Sequence, residues 1–330
     1  MNIKYSVILA FMGQMKDRFA TYHEPRGLAD KLALTATIEG VDGVEAVYPP
    51  DFQGMNPETF QQLLDDNGLG VSSVNVNVKS DPKFHQGALT SRDPGIRAEA
   101  VQVLKHGMDW AAELGVNLVT VCPLSDGHDY PFEIDYRLAW RWLVECLGEA
   151  AAYRPEVRVS VEYKQSEPRA RVIVPNTGVV LHLCEQIGLD NVGVTVDLGH
   201  ALYVGETPAQ VLCLAADANR LFLVHINDNY RNWDWDLMPA TVNYWDWLEC
   251  LLVLDEIGYD GWLVSDVFPA RTDPVETLSA CYRTIQYAET LLDRFGRDKL
   301  REIVRQGNVI RVFDELQRLM VGEKHQKGGT

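Results

Sequence analysis

The sequence predicts an α/β fold, a (β/α)8 barrel with a C-terminal helical extension. Three observations carry that expectation. About eight short β-branched runs alternate with longer amphipathic segments, the pattern of repeated strand and helix units around a parallel sheet. No Gly-x-Gly-x-x-Gly turn follows the first run, so a doubly wound dinucleotide fold lacks its phosphate-cradling signature. Four of the later runs end in side chains that bind metals, at Glu162, Asp197, His225 and Asp266.

Taken in order, the first strand is expected at 3–11, around Val7, Ile8 and Leu9, and the second at 43–48, around Val44 and Val47. The third, 70–78, carries Val71, Val74 and Val76, and the fourth, 117–122, carries Leu118, Val119 and Val121. Strands five to eight fall at 157–163, 192–197, 221–227 and 261–267, each an apolar run before its polar end. Helical periodicity fills the intervals at 97–114, 136–153, 179–187, 207–216, 244–257 and 275–295. A further segment, 297–320, spaces Leu300, Ile303, Val304, Ile310, Val312, Phe313, Leu316 and Leu319 as a helix would. The expected organisation is therefore a barrel domain over 1–295 and a helical extension over 296–320 that packs on the barrel or a partner subunit. A disordered polar tail is expected over 321–330.

Composition narrows the function. With 330 residues and 46% hydrophobic content the chain can bury an enzyme-sized core. Forty-seven acids against thirty bases give a net charge of −17, which opposes attraction to nucleic acid and to anionic lipid. Six cysteines stand singly in apolar stretches and read as reduced core residues. The apolar N-terminal run is too short to span a membrane, and a cytoplasmic location is the expectation.

A buried strand cannot cheaply end in an unpaired carboxylate, so four such endings point to a shared cation. A single one of the four could be a helix cap or an ion-pair partner, the lesser reading even for one residue; four together at one barrel mouth point away from it. Three carboxylates and an imidazole form a hard, oxygen-rich donor set suited to Mn2+, Mg2+ or Co2+. His200 follows Asp197 by about one helical turn, and Asp234 and Asp236 point the same way on an extended loop, enough for a second ion bridged by Asp197.

These residues carry a family resemblance. Glu162-Tyr163-Lys164-Gln165-Ser166-Glu167-Pro168-Arg169 resembles the Glu-x-Lys-x-x-Glu-Pro-Arg segment of xylose isomerase. The segments 84–93 and 108–115, Asp197-x-Gly199-His200 and Asp266 through Arg271-Thr272 are similar to that family's motifs in the same order, across about residues 40–290. The resemblance, which extends to rhamnose isomerase, implies a TIM-barrel enzyme that binds a monosaccharide and two divalent ions, Mn2+ first among them, and assembles as a homodimer or homotetramer. It implies Glu162, Asp197 and Asp266 as ligands of one ion, and His200, Asp234 and Asp236 as ligands of the other. Lys164 would be the cation at the sugar's carbonyl, with Glu162, Asp266 and His200 also in the catalytic set.

Two departures qualify it. Strand seven offers Asn227 where xylose isomerase has an aspartate ligand, and His225, as in tagatose-epimerase and endonuclease-IV relatives, is taken as the ligand instead. The ring-opening histidine after strand two is absent, leaving His23 and His85 as candidates to contact the substrate. Trp233 and Arg231, on the aromatic-rich strand-seven loop, complete the expected sugar-binding set, because aromatic faces pack against sugar C–H groups. The main expectation is an aldose–ketose isomerase working by a metal-assisted 1,2-hydride shift. The alternative is a ketose 3-epimerase using two carboxylates. A repair endonuclease predicts more metal histidines and a basic face, against which the charge of −17 argues, and a non-catalytic sugar-binding or metal-storage protein is the remaining alternative.

Overall fold

A computed structural model describes residues 3–322. Eight parallel strands close a barrel: β1 Lys4–Ile8, β2 Gly43–Tyr48, β3 Gly70–Val76, β4 Leu118–Val121, β5 Arg158–Glu162, β6 Val192–Asp197, β7 Leu221–Ile226 and β8 Trp262–Ser265. Each pairs with its sequence neighbours, and β1 closes on β8 through Lys4↔Trp262 to Val7↔Ser265. That seam is tied from outside. The buried Tyr282 hydroxyl donates to Ser6 O at 3.1 Å on one strand and accepts from Ser265 Oγ at 3.2 Å on the other.

The surrounding helices are α1 Leu28–Thr35, α2 Pro57–Asn67, α3 Pro94–Glu113, α4 Tyr136–Tyr153, α5 Thr177–Ile187, α6 Leu198–Val204, α7 Pro208–Asp217, α8 Tyr244–Glu256 and α9 Pro274–Phe295. Their starts follow ordinary capping chemistry: Asn56, Asp93, Asp135, Asn176 and Asp273 each accept a first-turn backbone N–H. Three helices lie outside the expected set. α1 has eight residues, α6 has seven, and α2 buries only Phe60 and Leu64, so none carries a long apolar stripe.

Two further boundaries differ. The first strand stops at Ile8, and Leu9–Met12 turns into a 3-10 helix that carries the chain over the barrel rim. The segment expected as one helix over 297–320 is two, α10 Arg297–Arg305 and α11 Val309–Met320, because Gly307 adopts φ +68° and Asn308 caps the second by accepting from Arg311 N. Leu300, Ile303, Leu316 and Leu319 of this pair are buried. Val321 and Gly322 form the turn after α11, and the rest of the expected tail, 323–330, lies outside the described residues.

The barrel interior is unusually polar at mid-height. Ser6 meets Ser72 at 2.9 Å, and Thr195 bridges Thr120 at 2.9 Å and Ser160 at 2.7 Å, so these hydroxyls satisfy one another without water. The floor is apolar. The Trp262 ring lies across Gly43 and Gly70, where a Cβ on Gly43 would stand 3.0 Å from the ring and 2.4 Å from Gly70 O. The carboxyl ends of the strands form the opposite face, where barrels of this kind carry their sites. All six cysteines are free thiols, five of them buried.

Candidate active site at the barrel mouth

Strand endings bring the expected ligands together. Glu162 closes β5, Asp197 closes β6, His225 is the penultimate residue of β7 and Asp266 follows β8. One donor atom from each lies within 4.8 Å of all the others. Nδ1 of His225 is 3.5 Å from Glu162 Oε1, 3.5 Å from Asp266 Oδ2 and 4.0 Å from Asp197 Oδ2, yet it is buried without a hydrogen-bond partner among the described residues. A buried imidazole nitrogen facing three carboxylates is the donor arrangement of a divalent cation site, so these residues fit one.

A second cluster adjoins it. His200 Nε2 lies 3.1 Å from Asp234 Oδ2, and the same oxygen receives Lys164 Nζ at 2.8 Å. Lys164 also pairs with Glu167. Asp234 Oδ1 has no hydrogen-bond partner among the described residues; His200 Nδ1 has none either, although Glu162 Oε1 is only 3.2 Å away. Asp236 comes from the same loop in a left-handed conformation, φ +47°, which aspartate tolerates better than most residues. Its backbone carbonyl accepts from Phe268 N at 2.9 Å, tying the β7 loop to the β8 loop.

The electrostatics follow from packing so many acids out of water. Burial would push Glu162 up, but the His225 and His200 rings beside it hold its carboxyl well below the usual range. Burial, reinforced by Asp266, Glu162 and Asp234, pushes Asp197 up to about 7. Asp236 is driven well above the usual range by burial and by Asp234 and Asp266. Burial works against a charged Lys164, yet Asp234, Glu167 and Asp236 raise its ammonium well above an ordinary lysine. Lys164 is therefore cationic at neutral pH, and the acids around it still outnumber the cations.

Local sequence explains the fit. The Asp197 carboxylate caps α6 by accepting His200 N at 2.7 Å, which fixes the imidazole one turn on. Its other oxygen accepts Asn227 Nδ2 at 2.8 Å. Gly199 is required for that contact, since a Cβ there would stand 1.6 Å from Asn227 Oδ1. Asn227 thus holds the Asp197 carboxylate, while His225 occupies the strand-seven position in the cluster.

Loop 227–243 is stapled at its base by Asp228, which accepts Val242 N at 2.9 Å, Asn243 N at 3.0 Å and Asn243 Nδ2 at 2.6 Å. Below the cluster, buried Glu45 of β2 accepts Ser73 Oγ at 2.5 Å, Asn75 Nδ2 at 2.7 Å and His225 Nε2 at 3.2 Å. Neither Asp228 nor Glu45 stood out in the sequence reading. Glu45 was findable, because a carboxylate inside the run Gly43-Val44-Glu45-Ala46-Val47 faces the same desolvation cost as one at a strand end.

The other expected sugar contacts sit further out. His23 spends Nε2 on Pro269 O at 3.0 Å, linking the β1 and β8 loops. His85 is exposed, with Nδ1 2.7 Å from Pro82 O. Arg231 reaches away to Asn243 Oδ1 at 2.9 Å and Asp246 at 2.8 Å. Trp233 packs edge-on against Tyr203, whose hydroxyl meets Ser166 Oγ at 2.6 Å, beside the Lys164 segment. Trp247 is buried in α8, and Trp245 packs on Phe313 of α11.

Comparison with known proteins points the same way. Residues 32–285 match the family model described as xylose isomerase-like TIM barrel. The chain is 28% identical over 298 residues to a xylose isomerase from Thermus thermophilus, covering 87% of this chain and 77% of that enzyme. Among solved structures it resembles a D-tagatose 3-epimerase-like protein, with TM-score 0.70 and 19% identity over 88% of this chain and 99% of that one. It also resembles a D-allulose 3-epimerase from Methylomonas sp. solved with D-allulose, with TM-score 0.63 and 18% identity over 92% of this chain and 97% of that one. An L-ribulose 3-epimerase is similar at TM-score 0.62 and 18% identity, over 99% and 100% of the two chains. At these identities the solved structures speak for the fold alone.

Proposed function

This chain belongs to the xylose isomerase-like TIM barrel family, and from that membership we propose that it is a divalent-cation-dependent isomerase interconverting the aldose and ketose forms of a free monosaccharide. The observation that carries this reading is the second cluster, Lys164, His200, Asp234 and Asp236, set against Glu162, Asp197, His225 and Asp266. In an aldose–ketose exchange, hydrogen passes with its electron pair from C2 to C1. The C2–H bond breaks, the C1–H bond forms, and a proton moves from O2 to O1. Negative charge develops on the oxygens at C1 and C2, where a fixed ammonium such as Lys164 stabilises it in a water-poor site.

Glu162, Asp197, His225 and Asp266 would hold one cation, and His200, Asp234 and Asp236, with Asp197 as a bridge, a second; Mn2+ suits this donor set, as do Mg2+ and Co2+. A bound divalent ion supplies Lewis-acid polarisation of the sugar's carbonyl oxygen. Glu167 and Asp234 keep the Lys164 ammonium in place and charged. Trp233 is proposed to cover the sugar's apolar face, with His23, His85 and Arg231 at its rim.

The second reading is the ketose 3-epimerase, the activity that the solved neighbours sharing this fold are named for. Here Glu162 and Asp266 would stand on opposite faces of C3, one taking a proton and the other returning it. The isomerase stands first because a C3 exchange gives Lys164 and Asp234 nothing to do. The same reading includes a homodimer or homotetramer, a cytoplasmic location and the division into a barrel, 1–295, and a helical extension, 296–320. A screen of aldoses and ketoses with Mn2+, Mg2+ and Co2+, including rhamnose, lyxose, mannose and xylose, tests it. Aldose-to-ketose conversion is expected, and ketose-to-ketose conversion alone would replace it with the epimerase.

A further inference from the structure

Glu45 is a buried acid that the proposed chemistry does not use. It lies inside β2 with no exposed surface, where a carboxylate has lost its water and needs donors in exchange. Two come from alternate residues of β3, Ser73 to Oε2 at 2.5 Å and Asn75 to Oε1 at 2.7 Å. The third is His225, whose Nε2 lies 3.2 Å from Oε2.

This contact decides which ring nitrogen carries the proton. A carboxylate only accepts, so an N–H must sit on Nε2; the opposite tautomer would set a lone pair against a negative oxygen. Nδ1, which faces Glu162, Asp197 and Asp266 without a hydrogen-bond partner among the described residues, is then the nitrogen whose lone pair a cation held among those carboxylates would take. We propose that Glu45 is a positioning residue of the cation site: through Nε2 it fixes the tautomer and orientation of His225 and strengthens Nδ1 as a ligand. The inference rests on the cation reading of the four-residue cluster. It makes β2, which contributes no ligand, a support of the centre.

The test measures Co2+ affinity by calorimetry and the Co2+ absorption spectrum for the wild type, Glu45→Met, Glu45→Gln, His225→Ala and the two double variants. Melting temperatures of the metal-free proteins report on folding. Glu45→Met removes every acceptor and should weaken Co2+ binding roughly 10–100-fold with a changed spectrum, the range seen when a carboxylate behind a metal-bound histidine is lost. Glu45→Gln keeps one acceptor and should lose less. Both effects should vanish in the His225→Ala background, because Glu45 acts through that ring. Unchanged affinity, or an equal loss without His225, overturns the proposal.

Should the Glu45 variants not fold, 15N resonances of His225 in the wild type loaded with diamagnetic Zn2+ decide the matter. A protonated Nε2 supports the assignment, and a protonated Nδ1 overturns it. Failure of the wild type to bind any divalent ion would instead refute the cation reading itself.

Discussion

Glu162 lies within reach of both clusters, 3.5 Å from His225 Nδ1 and 3.2 Å from His200 Nδ1. Glu162→Gln should therefore abolish most turnover and cation binding while the melting temperature of the metal-free protein stays near wild type, since a mouth residue carries little of the core. Near-normal turnover in the purified variant would refute the site. Lys164→Met should lower turnover roughly a hundredfold, the scale of removing one fixed stabiliser of developing charge. An unchanged rate with normal metal content would leave Lys164 a purely structural ion-pair residue. Gly199→Ala should cost about 1–3 kcal/mol in chemical denaturation, because its methyl must displace Asn227 and with it Asp197. The four clustered residues were legible in the sequence because each stands at the end of an apolar run, and Glu45 was findable as a carboxylate inside one, but its partners on β3 and β7 were not, since only the closed barrel brings those strands near; Asp228 was not legible, because its partners Val242 and Asn243 are met only when the loop folds back.

Among the elements, every strand but the first could be read to within about two residues at each end, since a parallel barrel buries both faces of every strand and leaves β-branched runs with polar ends. Long helices were equally plain, and α4, Tyr136–Tyr153, matches its expected span. What escaped were elements whose identity depends on contacts: the short α1 and α6, the polar α2, and the break at Gly307 that turns one periodic segment into two helices. The β7 loop belongs with these. It carries Asp234 and Asp236, and its shape hangs on the Asp228 staple. Asp228→Ala orphans three backbone N–H groups, those of Asn229, Val242 and Asn243, a cost of about 1–3 kcal/mol each when they stay dry. Amide hydrogen exchange should show residues 229–243 losing protection while the barrel strands keep theirs; unchanged protection would mean the loop is held by other contacts.

For the whole molecule, an acid-rich site at the carboxyl ends of the barrel strands couples stability and cation binding to pH. In the metal-free chain Asp197 holds its proton up to about 7, above the unfolded value of a carboxylic acid, so its contribution favours folding at low pH and is lost as the pH rises toward 7. A cation must displace that proton. Below pH 7 its apparent affinity should fall by at least about tenfold per pH unit in calorimetric titrations, because the His200 and His225 rings, held protonated above the usual imidazole range by the carboxylates around them, must release protons as well. A flat affinity from pH 5 to 8 would show that Asp197 is not a ligand. The central claim, hydrogen transfer between C1 and C2 at this mouth, is tested most directly by running the reaction in D2O and locating deuterium in the product by NMR. A hydride shift carries the C2 hydrogen straight to C1, so the account predicts product almost free of carbon-bound deuterium. Deuterium at C3 would contradict it and establish carboxylate-mediated proton exchange in its place.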